Sequence, residues 1–311
     1  MSIFASKSIL LSASVLLVSL QFSLVSSVQA AGSFYATQVL QSQLPHAFAL
    51  QPEAHDFLKA AQTKTIKDGD KLVELILADK DLTAALSKWH TLSIDEQIPF
   101  LRKVFALEYR SMGIKPPKLI IDNHSYPNKM VYFDFDVTYL SPLATNDSVN
   151  SGVVYLNPDK LAAQDKFASL AFLIHETRHS YQFQLSQQQH SNVKDNQLAS
   201  GYIAAFSAQK LLTGFGFSDF LTLLNEYEAF QYGNYVLGRL TQWQFDLISM
   251  GTFASQFDST GKLKIDLLQL ANHNHHAETT TETTTETLSL LEKYNQAAKQ
   301  QYQLRQIAKA P

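Results

Sequence analysis

The sequence predicts an α+β fold, mostly helical, in which a small antiparallel sheet packs on one central helix. Three observations carry this. Residues 32–115 read as helical, and helical spacing of apolar residues returns from 166 onward. Between them, residues 118–157 change to short runs with period-two alternation, broken by Asn, Asp, Ser and Gly. The composition is globular: 311 residues, 45% hydrophobic and 17% charged, long enough for a sizeable core.

Residues 1–30 read as a signal peptide. Lys7 supplies the positive start, Ile9 through Leu24 the apolar stretch, and Val28-Gln29-Ala30 a small-x-small end, so cleavage is expected after Ala30. The mature protein is then periplasmic or secreted. No later stretch is long and apolar enough to span a bilayer, so no stable membrane insertion is expected after signal removal. There is no cysteine, which excludes disulfides, thiolate ligands and a Cys nucleophile. A formal charge of -3 with no basic stripe argues against a nucleic-acid partner.

The N-terminal helical region covers residues 31–117. One helix is expected from about Gly69 to His90. A second opens at Ser93-Ile-Asp-Glu96, a capping box in which Ser93 and Glu96 satisfy each other's end of the first turn. It carries Phe100, Leu101, Val104, Phe105 and Leu107, tolerates Pro99 near its start, and ends at Gly113 before Pro116-Pro117.

A second folded region is expected over 118–270. Lys118–Asp122, Met130–Tyr139 and Gly152–Leu156 read as three strands, and Asn157-Pro158 as an N-cap followed by Pro at the first helical position. The strand at 152–156 is a candidate edge for pairing with an extended substrate, with an ordinary internal strand as the equal alternative. Ser186 to Asn192 is polar and reads as a loop. A helix at 196–212 ends near Gly214-Phe-Gly216, and Ser218 is expected to cap another running past Gly233. Residues 236–270 continue the helical core. Residues 271–287 form a linker with His273, His275 and His276 followed by a Thr-Thr-Thr-Glu repeat. Residues 288–311 are a polar C-terminal helix.

The chemistry centres on Phe172-Leu-Ile-His175-Glu176-Thr-Arg-His179-Ser-Tyr-Gln182. On a helix His175 and His179 share one face, one turn apart, and can reach a single metal ion. Zinc suits neutral imidazole and carboxylate donors and keeps a position open for water in catalytic sites. Glu176 projects beside such an ion and suits a general base toward the activated water. Leu170, Ile174 and Tyr181 provide a buried stripe beside the ligands. Arg178 is placed to pair with a carboxylate.

A third ligand must come from elsewhere. An extended one-helix site would want Gly at 182 and His at 185, where the chain has Gln182 and Leu185. A carboxylate from a second helix is the remaining common solution. Asn225-Glu226-Tyr-Glu-Ala229, downstream of His-Glu-x-x-His, resembles the gluzincin group of zinc metallopeptidases. The resemblance implies a zincin-like domain, with Glu226 as third ligand and Ala229 where two helices approach closely. Glu228 is the rival ligand, and Phe230 stands where the group has an Asp that orients a ligand histidine. Tyr181, Tyr227, Tyr232 and Tyr235 are available as oxyanion donors.

The expected function is therefore an exported zinc metallopeptidase acting on a peptide or protein substrate. Its expected zinc ligands are His175, His179 and Glu226, with Glu176 as base. The alternative is an exported zinc-binding interaction protein without turnover. Oligomeric state is left open by the sequence.

Overall fold

A computed structural model describes residues 35–141, 149–188, 193–244, 256–271 and 288–309. The expected signal peptide, the chain from 189 to 192, Phe245, Leu247 and Ile248, and the stretch 272–287 with its histidines and Thr-Glu repeat lie outside these residues. No described helix is long and apolar enough to cross a membrane.

The chain is mostly helical with a three-stranded sheet, an α+β architecture. A short helix α1 (Gln38–Gln41) precedes α2 (His55–Ala78), α3 (Lys80–Ser87) and α4 (Ile94–Met112). The single helix expected at 69–90 is two helices. Asp79 divides them: its backbone is extended, and its carboxylate accepts from the Asp81 and Leu82 amides as the N-cap of α3. The capping box predicted for α4 is present, with Ser93 accepting from the Glu96 amide and Glu96 accepting in return, and Gly113 ends the helix in a left-handed conformation.

Strands β1 (Lys118–Ile121), β2 (Val131–Asp134) and β3 (Val153–Leu156) pair in the order β1-β3-β2. β1 runs parallel to β3 and β2 antiparallel to it, so the sheet is mixed, not wholly antiparallel as expected. β3 is the central strand, which removes 152–156 as an edge for substrate pairing. Alternation along a strand tells which face a residue takes but not which strand lies beside it. The second strand is also shorter than predicted, because Asp136 caps a single 3-10 turn at Val137–Leu140.

Asn157 then caps α5 (Pro158–Leu161), as expected. Helix α6 (Ala168–Gln187) follows and carries the His-Glu-x-x-His run. It extends into the stretch expected to be loop and buries every residue except Leu185 and Gln187, so it is enclosed on all sides and not along one stripe. The sheet lies against one side of it. Helices α4, α7 (Val193–Leu211) and α9 (Leu224–Leu240) cover the others, and α2 packs on α9. One hydrophobic cluster runs from Ala36 through Leu82, Val104 and Leu173 to Ala298, so the N-terminal helices and the helices of the site share a core.

The helix expected to run on from Ser218 is interrupted. Gly216 caps a short α8 (Phe217–Leu221), and the chain restarts as α9 after Leu223. Beyond α9, Gln242 and Trp243 take positive φ, which stops the helix that residues 236 onward were expected to continue. The C-terminal helix Leu290–Lys309 docks back through buried Leu291, Tyr294 and Ala298, which share one face, and Asn295 bonds the Ala36 backbone.

Candidate metal centre

The site is assembled by two crossing helices. On α6, His175 and His179 sit one turn apart, and their Nε2 atoms lie 3.0 Å from each other. From α9, Glu226 Oε2 comes within 3.3 Å of His175 Nε2 and 3.4 Å of His179 Nε2. The Glu176 carboxylate is nearby, with donor atoms of His175, Glu176 and His179 all within 4.8 Å of one another. These buried groups can hold a metal ion. Bonds of about 2.0–2.1 Å to a tetrahedral ion separate its ligand atoms by roughly 3.3 Å, and the two nitrogens and Glu226 Oε2 have that spacing.

The helices must approach closely for this to happen. Glu226, Ala229 and Gly233 (i, i+3, i+7) share the face of α9 that meets α6. A Cβ at Gly233 would lie 3.5 Å from the Ala171 carbonyl and 3.8 Å from the His175 backbone nitrogen. Small residues there let α9 bring Glu226 to the imidazoles. Phe230, on the next position, lays its ring 4.1 Å from that of His175.

His179 and Glu226 are each supported by a neighbour. Gln182 Oε1 lies 2.8 Å from His179 Nδ1. Gln209, from α7, donates to Glu226 Oε1 at 2.8 Å. The Ala229 carbonyl faces the His175 ring, but His175 Nδ1 has no partner in hydrogen-bond geometry among the described residues. Phe133 of β2 and Phe206 of α7 close the His179 side, with ring centroids 5.9 and 6.2 Å away. Exposure is small throughout: His175 5%, Glu176 6%, His179 3% and Glu226 5%.

Burial and charge set the protonation states. Burial pushes the Glu176 carboxyl up to about 8, and the nearby Glu226 pushes the same way while His179 and Lys129 oppose it. For Glu226, burial acts upward but the two imidazoles outweigh it and bring its carboxyl down to about 2. Burial acts to lower His179, and the carboxylates of Glu226 and Glu176 overcome it, raising the ring to about 9. His175 is lowered, by burial first and by the neighbouring His179 second.

The rival acid is elsewhere. Glu228, buried on another face of α9, accepts from Arg178 Nε at 3.0 Å and from Nη2 at 2.8 Å, and from Thr65 Oγ1 at 2.5 Å. Arg178 thus has its expected carboxylate partner, and a second in Asp68 at 2.8 Å. Tyr181 and Tyr232 are committed to the same guanidinium, their rings 4.2 and 4.5 Å from it. The Tyr235 hydroxyl donates to Asp70. Asn225 is fully buried; its side-chain amide has no partner among the described residues, and its backbone carbonyl accepts from Gln182.

Gln182, Gln209, Lys129 and Tyr132 were not singled out from the sequence. Lys129 precedes β2 and Tyr132 lies within it, on the Glu176 side of the site: Lys129 stands over the Tyr132 ring at 4.9 Å, and both feel the Glu176 charge. No local motif marks them. Gln182 alone had a signal, since it lies three residues after His179 on the same helix face.

Comparison with protein-family models, with curated proteins and with solved structures returned no match.

Proposed function

We propose that this protein is an exported zinc metallopeptidase in which His175, His179 and Glu226 hold the zinc and Glu176 serves as general base. The observation that carries this reading is the set of three mutual separations, 3.0, 3.3 and 3.4 Å, among two imidazole nitrogens and one carboxylate oxygen. Two nitrogens and an oxygen form a donor set that suits zinc, and three protein donors leave a fourth position open, as catalytic sites require. The resemblance to gluzincins in the His-Glu-x-x-His and Asn-Glu-x-x-Ala patterns supports the same assignment.

Zinc bound there would act as a Lewis acid, polarising the scissile carbonyl and lowering the pKa of water. The protein's own groups do the rest. Glu176, on α6 beside the two imidazoles, is placed to take a proton from water and to pass it to the leaving amine. Glu226, ionised, balances the positive charge. Gln209 holds the second oxygen of Glu226, so Oε2 stays directed at the imidazoles. Among the described residues β2, not β3, has an unpaired edge beside the site, and an extended substrate adding to it would pass close to Phe133 and His179.

The near-complete burial of all four residues favours a second reading, an exported protein that holds zinc for an interaction and does not turn over substrate. Elemental analysis and a quenched-peptide mixture separate the two. The peptidase reading expects one zinc per chain and hydrolysis that disappears in Glu176→Gln while zinc is retained. Zinc without hydrolysis in the wild type supports the second reading. Absence of zinc removes both. Amino-terminal sequencing of exported protein, expected to begin at Ala31, tests the export.

A further inference from the structure

We propose that Gln182 is a positioning residue for the metal centre: anchored by the Arg178–Glu228 ion pair, it holds His179 in the tautomer that presents Nε2 to the ion. This rests on the reading of His175, His179 and Glu226 as ligands.

The argument is one of donors and acceptors. The Gln182 Nε2 group has two hydrogens. One goes to the Asn225 carbonyl at 2.9 Å and the other to Glu228 Oε2 at 2.7 Å. Both partners can only accept. Turning the amide over would set its oxygen against a carbonyl and a carboxylate, so the orientation is forced. Gln182 Oε1 therefore faces His179 Nδ1, and at 2.8 Å that nitrogen must carry hydrogen. A neutral His179 then has its lone pair on Nε2, the atom 3.4 Å from Glu226 and 3.0 Å from His175 Nε2.

What keeps Glu228 an obligate acceptor is its own setting. Arg178 grips both of its oxygens, Thr65 donates to one of them, and the guanidinium is itself fully buried between two tyrosine rings and tied to Asp68. The chain of contacts runs from α2 through Arg178 and Glu228 to Gln182 and on to His179. Gln182 supplies the orienting bond to His179 from the ligand's own helix, whereas Phe230 of α9 lies against the other imidazole, His175.

Zinc affinity of the full chain, measured by competition with a chromogenic chelator, tests this in wild type, Gln182→Leu and Gln97→Leu. Gln97 is a buried amide of equal size on α4 that bonds the Leu92 carbonyl and Ser169. The expected result is a loss of about 10–100-fold in Gln182→Leu and none in Gln97→Leu. Nitrogen-15 spectra of histidine-labelled, zinc-free protein in alkaline solution read the tautomer directly. His179 should carry its proton on Nδ1 in the wild type and populate the Nε2 form in Gln182→Leu. Equal affinities in wild type and Gln182→Leu, equal losses in the two variants, or an Nε2 proton in the wild type overturn the proposal and leave the metal reading standing. A wild type that takes up no zinc overturns both. If Gln182→Leu does not fold, the wild-type spectrum decides.

Discussion

Glu226 and Glu228, two residues apart on α9, serve different partners: Glu226 reaches the paired imidazoles of α6, and Glu228 closes on the Arg178 guanidinium. Both are buried, and both have carboxyls held below the ordinary value, Glu226 by the imidazoles and Glu228 by the Arg178 guanidinium, against the upward push of burial. Two residues of helix turn a side chain by about 200°, so one helix turns a carboxylate to the imidazoles on one side and to an ion pair on another.

Glu226→Ala should therefore release the metal. We expect zinc content of the purified variant to fall from one per chain to a small fraction, with the helical circular dichroism unchanged. Retention of stoichiometric zinc would remove Glu226 from the ligand set.

Zinc should also stabilise the fold, because a ligand that binds only the native state shifts the folding equilibrium by mass action. At a free zinc concentration 100 times the dissociation constant the gain is about 2.7 kcal/mol, which for a chain of this size raises Tm by roughly 4–5 °C. Thermal melts with zinc and with a chelator should differ by that amount in the wild type and coincide in His175→Ala.

Arg178→Met should be among the most destabilising single changes. It would leave Glu228 buried opposite no cation and strip one of the two cations from Asp68. Breaking a buried pair on one side costs about 3–5 kcal/mol. Urea midpoints should fall accordingly, and Arg178→Lys should recover only part, since an ammonium cannot grip a carboxylate through two parallel N–H groups.

Glu108 gives a pH prediction of opposite sign to the usual one. It is fully buried on α4, neither oxygen has a hydrogen-bond partner in good geometry among the described residues, and burial pushes its carboxyl well above the ordinary value, with Arg178 and Thr177 opposing. Folded Glu108 keeps its proton while the unfolded chain loses it above about pH 4.5. The unfolded state then binds fewer protons, so this group costs stability as pH rises above about 4.5, by up to about 1.4 kcal/mol per pH unit. Asp68 and Glu228, held low, act the other way: their contribution is present above about pH 4 and is lost as pH falls through their folded values. Glu108→Gln should raise the urea midpoint at pH 7 and leave it nearly unchanged at pH 4. An unchanged midpoint at pH 7 would refute a protonated Glu108.

Local rules account for what could be read in advance. The Ser93–Glu96 capping box, the Gly113 terminus and the Asn157-Pro158 start are written in neighbouring residues, and each element begins or ends there. The break at Asp79 was missed although Asp is a good N-cap, because the apolar spacing runs through it without interruption. The break before α9 was missed for the same reason. β3 could not be placed at the centre of its sheet, since strand order depends on partners that are distant in sequence.

For the site, spacing within one helix determined a great deal. His175 and His179 had to share a face, and Glu176 had to stand beside it, wherever α6 lay in the protein. Tertiary structure alone decided which acid of α9 meets them, because the rotation of one helix about its axis is set by packing: Gly233 and Ala229 against α6 on one side, Arg178, Thr65 and Gln182 around Glu228 on the other. It also decided that Gln182 and Gln209 become the neighbours of the donors. Hydrogen bonds between separate helices leave no period in the sequence, and only the folded chain brings their two ends together.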